Sequence, residues 1–529
     1  MIGTVDIFVG MLLAVAALAL LARRLHIAYP ILFVIGGLLL ALIPGVPRVH
    51  LNPELVFLFF LPPLLYPAAL FTSWRDFRAN LRAISLLAVG LVLLTTVAIA
   101  FLAHHFMNLP LAAGFVLGAI VSPPDAIAAT AIAERLRVPR RIVTVLEGES
   151  LVNDATALVA YRFAIMAVVT GSFSLGQASL KFFVVCFGGI LMGLVVGRLA
   201  EWFHKRVQDA PIEITVSLLT PFAAYLPAER LGISGVLAVV TAGLYLGWRL
   251  PEITDFQTRL DARPVWDTVE FILNGLVFIL IGLQLPTVLH AATTDHLPMS
   301  QLISYASVIS LAVIVVRVLW VFPATYVPRL LFKGLRAHDP YPSWRHVLIV
   351  AWTGMRGVVS LAAALALPLT TADGSPFPGR DLILFLSFVI ILATLVVQGL
   401  SLPPLIRWLG VEDDDSLEHE EREARLAANK AALERLRQVA EKDPAKADAL
   451  KRLRIEYEDR IRQLEATETD RTNRRLRLFS AEYERLSRQG LKQERETILQ
   501  LRNQEVINDE VLRRIQQDID LAEARLRRN

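Results

Sequence analysis

Leu146-Glu147-Gly148-Glu149-Ser150-Leu151-Val152-Asn153-Asp154 sets three carboxyl groups and an amide at the head of a segment that runs on, from Ala155 to Thr170, as an almost unbroken apolar stretch. Ionisable groups at membrane depth are costly and mark ion paths or functional sites. The stretch therefore reads as an ion site inside a membrane helix. At about 100° per residue, Ser150 and Asp154 share one helical face, and Glu149 and Asn153 share the neighbouring one. One face is placed to bind and the other to brace.

The rest of the chain agrees with a membrane setting. Of 529 residues, 55% are hydrophobic and 19% charged, and the mean hydropathy is +0.52, values of an integral membrane protein. Charge is uneven. Residues 1–410 alternate long apolar runs with short basic loops, whereas 411–529 are dominated by Glu, Arg, Lys, Gln and Leu. The expectation is a membrane domain over 1–410 and a cytoplasmic helical tail over 411–529. The net charge of +4 gives no case for a nucleic-acid partner, because the basic residues gather at membrane edges and in a tail balanced by acids. The single Cys186 excludes an internal disulfide and reads as a buried thiol. Residues 1–22 lack a basic region ahead of the apolar part and precede Arg23-Arg24, so they read as the first membrane helix and not as a signal peptide.

Apolar windows long enough to cross about 30 Å of hydrocarbon fall near 5–22, 29–46, 54–71, 82–106, 111–133, 142–170, 176–203, 211–228, 232–248, 264–285, 300–325, 344–368 and 381–408, predicting thirteen helices. Loops after the odd-numbered helices carry nineteen Lys and Arg, and the alternate loops carry four. That bias predicts an outside N-terminus and a cytoplasmic tail. Helix 5 contains Ser122-Pro123-Pro124-Asp125 and helix 12 contains Thr353-Gly354-Met355-Arg356-Gly357. Consecutive prolines remove backbone donors and release carbonyls. Two charged breaks seven helices apart are the mark of an inverted-repeat transporter with two broken crossing helices.

Asp125 and Asp154 lie on consecutive helices and can approach a common point. Carbonyls of Ser122 and Pro123, the Ser150 hydroxyl and the Asp154 carboxylate could together replace the water around a small cation. A proton and a cation exclude one another at a single carboxyl group, which is enough for exchange. Three arginines, Arg162, Arg317 and Arg356, fall within predicted spans and each needs a partner. Glu149 needs a cation, with Arg317 preferred, and Arg356 is placed to balance helix ends at the helix 12 break; spacing alone leaves the pairing open. Glu147, nearer the cytoplasm, lines an access funnel in this reading. Glycines 188, 189, 193 and 197 in helix 7 predict close helix packing. In the tail, breakers at Asp443-Pro444, Gly490 and Asn508-Asp509 divide the chain into about four amphipathic helices.

The segments Ser122-Pro123-Pro124-Asp125-Ala126, Glu147-Gly148-Glu149-Ser150-Leu151-Val152-Asn153-Asp154 and Gly354-Met355-Arg356-Gly357 closely resemble those of sodium/proton exchangers of the monovalent cation:proton antiporter-1 family, particularly its bacterial members. The resemblance covers residues 1 to about 410, and the tail, with Val506-Ile507-Asn508-Asp509-Glu510, is similar to that of a bacterial subgroup. It implies an elevator-type homodimer in the inner (plasma) membrane, with helices 1–3 and 8–10 as dimer scaffold and helices 4–6 and 11–13 as transport core. It further implies that Asp154 binds the ion, that Asp125 and Ser150 support it, and that Glu149 pairs with Arg317. An Asn-Asp pair is associated in this family with electroneutral exchange, so Asn153 implies that mode; an amide can brace Glu149 but carries no second charge. Some prokaryotic members have a glutamate in helix 3 near the position of Pro67, and its absence here bears on pH response and ion preference.

The transported species expected are Na⁺ and H⁺, with no cofactor and no enzymatic activity. K⁺/H⁺ exchange is the nearest alternative. A gated cation channel is a more distant one, for no Thr-Val-Gly-Tyr-Gly-like filter is present, and neither a His-Glu-x-x-His motif nor a nucleophile-base pair points to an intramembrane enzyme.

Overall fold

The structure is a computed structural model that describes residues 2–25, 27–43, 56–171, 175–207, 209–294, 298–411, 416–442, 447–465, 471–504, 506 and 509–526. Helices account for nearly all of it, and the one β-type pairing among the described residues is an isolated bridge between Thr370 and Pro376. Two units separate along the chain, Met1–Asp413 and Asp414–Asn529.

In the first unit the elements are α1 (Ile2–Leu25), α2 (Tyr29–Ala41), α3 (Leu61–Phe71), α4 (Leu81–Met107), the two halves of α5 (Leu111–Val121 and Ile127–Arg135), α6 (Arg140–Thr170), α7 (Leu175–His204), α8 (Ala210–Arg230), α9 (Gly235–Ile253), α10 (Phe256–Thr294), α11 (Met299–Leu331), the two halves of α12 (Trp344–Trp352 and Val358–Leu365) and α13 (Arg380–Leu409). Among the described residues, eight helices are long and apolar enough to span a membrane, and three shorter apolar ones accompany them. That is fewer than the thirteen crossings expected. The difference has a physical source: interrupted helices leave halves of only 9 and 8 residues in α12, α2 continues as helix for 13 residues, and α8 carries Glu213, Glu229 and Arg230 with two internal prolines.

The helix ends follow local chemistry. Asp209 caps α8 by accepting from the Ile212 N–H at 3.2 Å, and Ser234 caps α9 by accepting from Leu237 at 3.2 Å. The left-handed residues Gly171 and Gly410, at φ 66° and 58°, end α6 and α13. The α7 glycines permit the expected close contact: a Cβ built on Gly193 would lie 2.4 Å from the Ala238 carbonyl oxygen of α9. The outer side of α7 is apolar and exposed, with Leu180, Phe187 and Leu191 each more than 60% accessible. Surface of this kind suits lipid and not water. Cys186, expected to be buried, is half-buried on this same helix.

Between α11 and α12 the chain is pinned by Asp339, which accepts from Arg82 at 2.8 Å, Arg141 at 2.7 Å and Arg329 at 2.6 Å. Arg162 pairs with Glu229 at 2.5 Å.

The second unit has helices α14 (Ser416–Lys442), α15 (Ala447–Glu465), α16 (Arg471–Asn503) and α17 (Asp509–Leu526). Ile498, Leu512 and Ile519 form a small apolar core with Leu491, Leu499 and Ile515. Gly490, expected to break a helix, lies inside α16, where the flanking helix-forming residues outweigh its roughly 1 kcal/mol penalty. The expected breaks at Asp443-Pro444 and Asn508 lie outside the described residues.

Candidate ion site

The double proline after Val121 and the Thr353–Gly357 segment stop α5 and α12 in mid-course. Each stop releases backbone carbonyls that would be expensive to bury without donors. Nearly every one is met by a named group. Arg356 donates through Nε to the Val121 carbonyl at 2.8 Å, through Nη2 to the Ser122 carbonyl at 3.4 Å, and through Nη1 to Gly354. Its guanidinium thus sits at the carbonyl-rich end of the first half of α5, where a helix dipole favours a cation. Gln398 donates to the Trp352 carbonyl at 2.9 Å, and Thr394 accepts from the Arg356 N–H at 3.1 Å. Sequence spacing placed Arg356 at the helix 12 break; its contacts serve that break through Gly354 and also cross to α5.

The two breaks also meet directly. The Asp125 N–H donates to the Met355 carbonyl at 2.7 Å, and the Asp125 carboxylate accepts from the Ile127 N–H at 2.9 Å. Gly357 is required by this approach: a Cβ there would lie 1.7 Å from Asp125 Oδ2. From α6, Asn153 donates to the Pro124 carbonyl at 2.6 Å, and Ser150 accepts from the Ala126 N–H at 3.4 Å. Asn153 therefore holds the broken helix, where bracing of Glu149 was expected. Of the carbonyls at residues 121–124, Pro123 alone has no partner among the described residues.

Glu149 lies beside both breaks, bordering a small void with Pro124, Asp125, Ala126 and Thr353, and takes Arg317 of α11 in a two-pronged contact at 2.5 and 2.8 Å. Arg317 also donates to the Val350 carbonyl at 3.0 Å. Both side chains are essentially inaccessible. A buried pair of this geometry satisfies both charges and ties α6 to α11 and the first half of α12.

Asp125, Asp154, Ser150, Pro123 and Glu147 line one cavity of about 390 Å³. Ser122 is fully buried, with its hydroxyl donating to Ala119 at 3.0 Å, and is not among the lining residues. The opposite wall comes from α3, including Leu61, Leu65, Pro67 and Phe71, and from α10 through Arg263, Asp267 and Glu270. Several residues of this cavity were not singled out in the sequence, Asp267 among them. Glu134 and Glu270 add carboxylates at its edge, and Ser360, 1% accessible, turns a hydroxyl without a partner among the described residues into the shared wall. Ser360 stands in the apolar second half of α12, Val358–Leu365, where a lone hydroxyl leaves no mark in the sequence.

Among the described residues no group of three His, Cys, Asp or Glu side chains is arranged to hold a resident metal. His104, which ends α4, makes a 2.7 Å contact with the Leu109 carbonyl.

The chain is similar to known proteins in sequence and in fold. The profile described as "Sodium/hydrogen exchanger, transmembrane" matches residues 10–408. An uncharacterized Na⁺/H⁺ exchanger of Mycobacterium tuberculosis is 39% identical over 525 residues, covering 98% of this chain and 96% of the relative. A sodium, potassium, lithium and rubidium/H⁺ antiporter of Bacillus pumilus is 36% identical over 452 residues, 81% of this chain and 66% of that one. The fold is similar to that of the sodium proton antiporter MjNhaP1 from Methanocaldococcus jannaschii, with a TM-score of 0.60 at 20% identity, over 77% of this chain and 97% of that one. The chain belongs to the sodium/hydrogen exchangers, membrane transporters that exchange cations for protons.

Proposed function

We propose that this antiporter exchanges Na⁺ for H⁺ by competition of the two at Asp154. The observation that carries the reading is the single cavity shared by Asp154, Asp125, Ser150 and the free Pro123 carbonyl, with Asp125 fixed to the second broken helix. Carboxylate, hydroxyl and carbonyl oxygens are the ligands a hard monovalent cation takes. Ser122, also expected as a carbonyl ligand, lies outside the cavity lining with its carbonyl engaged by Arg356 at 3.4 Å, so the proposed ligand set omits it. Protonated or cation-loaded, the site is close to neutral and can cross; empty and charged, it stays. Asn153 spends its amide on Pro124 and offers no second ionisable group, which supports electroneutral one-for-one exchange.

In this reading α4–α6 and α11–α13 move as the transport core against a homodimer scaffold of α1–α3 and α8–α10. Residues 1–410 form the membrane domain of a multi-pass plasma-membrane protein, with the N-terminus outside and the tail over 411–529 in the cytoplasm. The name of the Bacillus pumilus relative supports extending the substrates to Li⁺ and K⁺, so K⁺/H⁺ exchange is the second reading.

Proteoliposomes decide between them. Proton flux is measured with Na⁺, Li⁺ and K⁺ in turn, with the membrane potential free and then clamped. Sodium-driven flux that is unaffected by the clamp and abolished in Asp154→Asn is the expected result. Robust cation-dependent proton flux in Asp154→Asn overturns the mechanism.

A further inference from the structure

A second and larger cavity, of about 740 Å³, opens elsewhere in the membrane unit, where the ends of α1, the second half of α5 and α13 come together. Each of these ends brings an arginine to the cavity wall: Arg23, Arg135 and Arg407. No acidic residue lines it, and neither Arg23 nor Arg407 enters an ion pair among the described residues. The remaining wall is largely apolar, with Ile27, Ile31 and Leu400. Around it the surface is of the kind that meets hydrocarbon and its boundary: Leu25 is 52% accessible, Leu400 48% and Trp408 75%.

We infer that this cavity is a binding site for an anionic phospholipid, with the phosphate held by Arg23 and Arg407 beside Arg135 and an acyl chain laid along Ile27, Ile31 and Leu400. The guanidinium is the side chain best matched to phosphate oxygens. Basic pockets between membrane helices are suited to lipid head groups. A free phosphate ion would satisfy the arginines but leave most of the volume and all of the apolar wall unused. The occupant touches α1 and α2 on one side and α5 and α13 on the other, so it bridges elements distant in sequence. It shares no arginine with the ion cavity, the two having only Ala131 of α5 in common.

The test uses the full-length protein, purified in detergent and stripped of lipid, then offered phosphatidylglycerol, phosphatidylcholine or sodium phosphate. Retained lipid is counted by native mass spectrometry and thermal stability is followed in parallel. Phosphatidylglycerol is expected to be retained and to stabilise, phosphatidylcholine and phosphate are not. The double variant R23Q/R407Q is expected to lose phosphatidylglycerol on the order of tenfold, as removal of two basic contacts predicts, while R23K/R407K keeps most of it. Should R23Q/R407Q fail to fold, Leu400→Trp, which fills the apolar wall and leaves the arginines, is expected to expel the lipid. Equal retention by wild type and R23Q/R407Q overturns the inference, as does wild-type retention in Leu400→Trp. Stabilisation by inorganic phosphate equal to that by phosphatidylglycerol overturns it in favour of a simple anion pocket.

Discussion

The backbone N–H of Asp125 donates to the carbonyl of Met355 at 2.7 Å, so the two interrupted helices are fastened to one another at the point where each is broken. Residues 230 positions apart in the chain, by subtraction of 125 from 355, thereby become one backbone unit. The consequences of that joint can be tested at the residues that shape it.

Gly357→Ala puts a methyl group where Asp125 Oδ2 now lies. Overpacking of a closed site costs about 1–3 kcal/mol, and here the displaced atom belongs to the proposed ion site. Sodium-driven proton flux in proteoliposomes is expected to fall by at least about tenfold, the rate equivalent of ~1.4 kcal/mol, while the protein still elutes as a single species. Wild-type flux would show that Asp125 need not hold its place.

Glu149→Ala strands the guanidinium of Arg317, which is wholly buried. Removal of one partner of such a pair costs about 3–5 kcal/mol, whereas replacing both with apolar side chains of similar size recovers much of it. The melting temperature of Glu149→Leu/Arg317→Met is therefore expected to exceed that of Glu149→Ala. The reverse order would mean that the pair acts through something other than charge compensation.

Asn153→Asp exchanges a donor for an acceptor in front of the Pro124 carbonyl, 2.6 Å away. Only a protonated carboxylic acid can remake that bond. The variant is expected to melt below wild type at pH 8, by a margin equivalent to about 1–3 kcal/mol, and the gap is expected to narrow at pH 5. A gap that widens on acidification would exclude this account.

Asp339, in the segment between α11 and α12, behaves in the opposite sense. Burial alone would raise its carboxyl, but the guanidiniums of Arg141, Arg329 and Arg82 outweigh that and hold it below the ordinary carboxylate range. A folded-state value below the unfolded one means that the stabilisation is complete above about pH 4 and is lost as pH falls through the folded value. Asp339→Asn should melt below wild type at pH 7, by on the order of 1 kcal/mol since the side chain is still 23% exposed. The two curves should converge as the pH falls through the lowered folded-state value. Parallel curves across that range would remove Asp339 as the cause.

The sequence carried the all-helical membrane class and the two broken helices because hydropathy and proline leave direct marks on it. It placed Asp125, Ser150 and Asp154 on elements that the structure does bring to one cavity. Partnerships were harder to read. The proximity of Arg317 to Glu149 depends on α11 lying beside α6, a long-range packing fact that spacing within one helix does not contain. Asn153 was assigned to Glu149 by helical neighbourhood, yet its amide reaches Pro124, because an orphaned carbonyl across the interface is a better acceptor than a carboxylate already saturated by arginine. Ser360 escaped notice for a plainer reason: a lone hydroxyl in an apolar helix carries no signal until the opposite face is known.

The wall that α3 presents to the ion cavity has a mechanical meaning. Leu61, Leu64, Leu65, Pro67, Ala68 and Phe71 carry no polar side-chain atom, whereas the facing α5, α6 and α12 are knitted together by directional bonds. Shear along this boundary would break no hydrogen-bond register and would trade one apolar contact for another of similar energy. In the proposed mechanism this boundary would be the bearing surface, smooth on one side and stiff on the other.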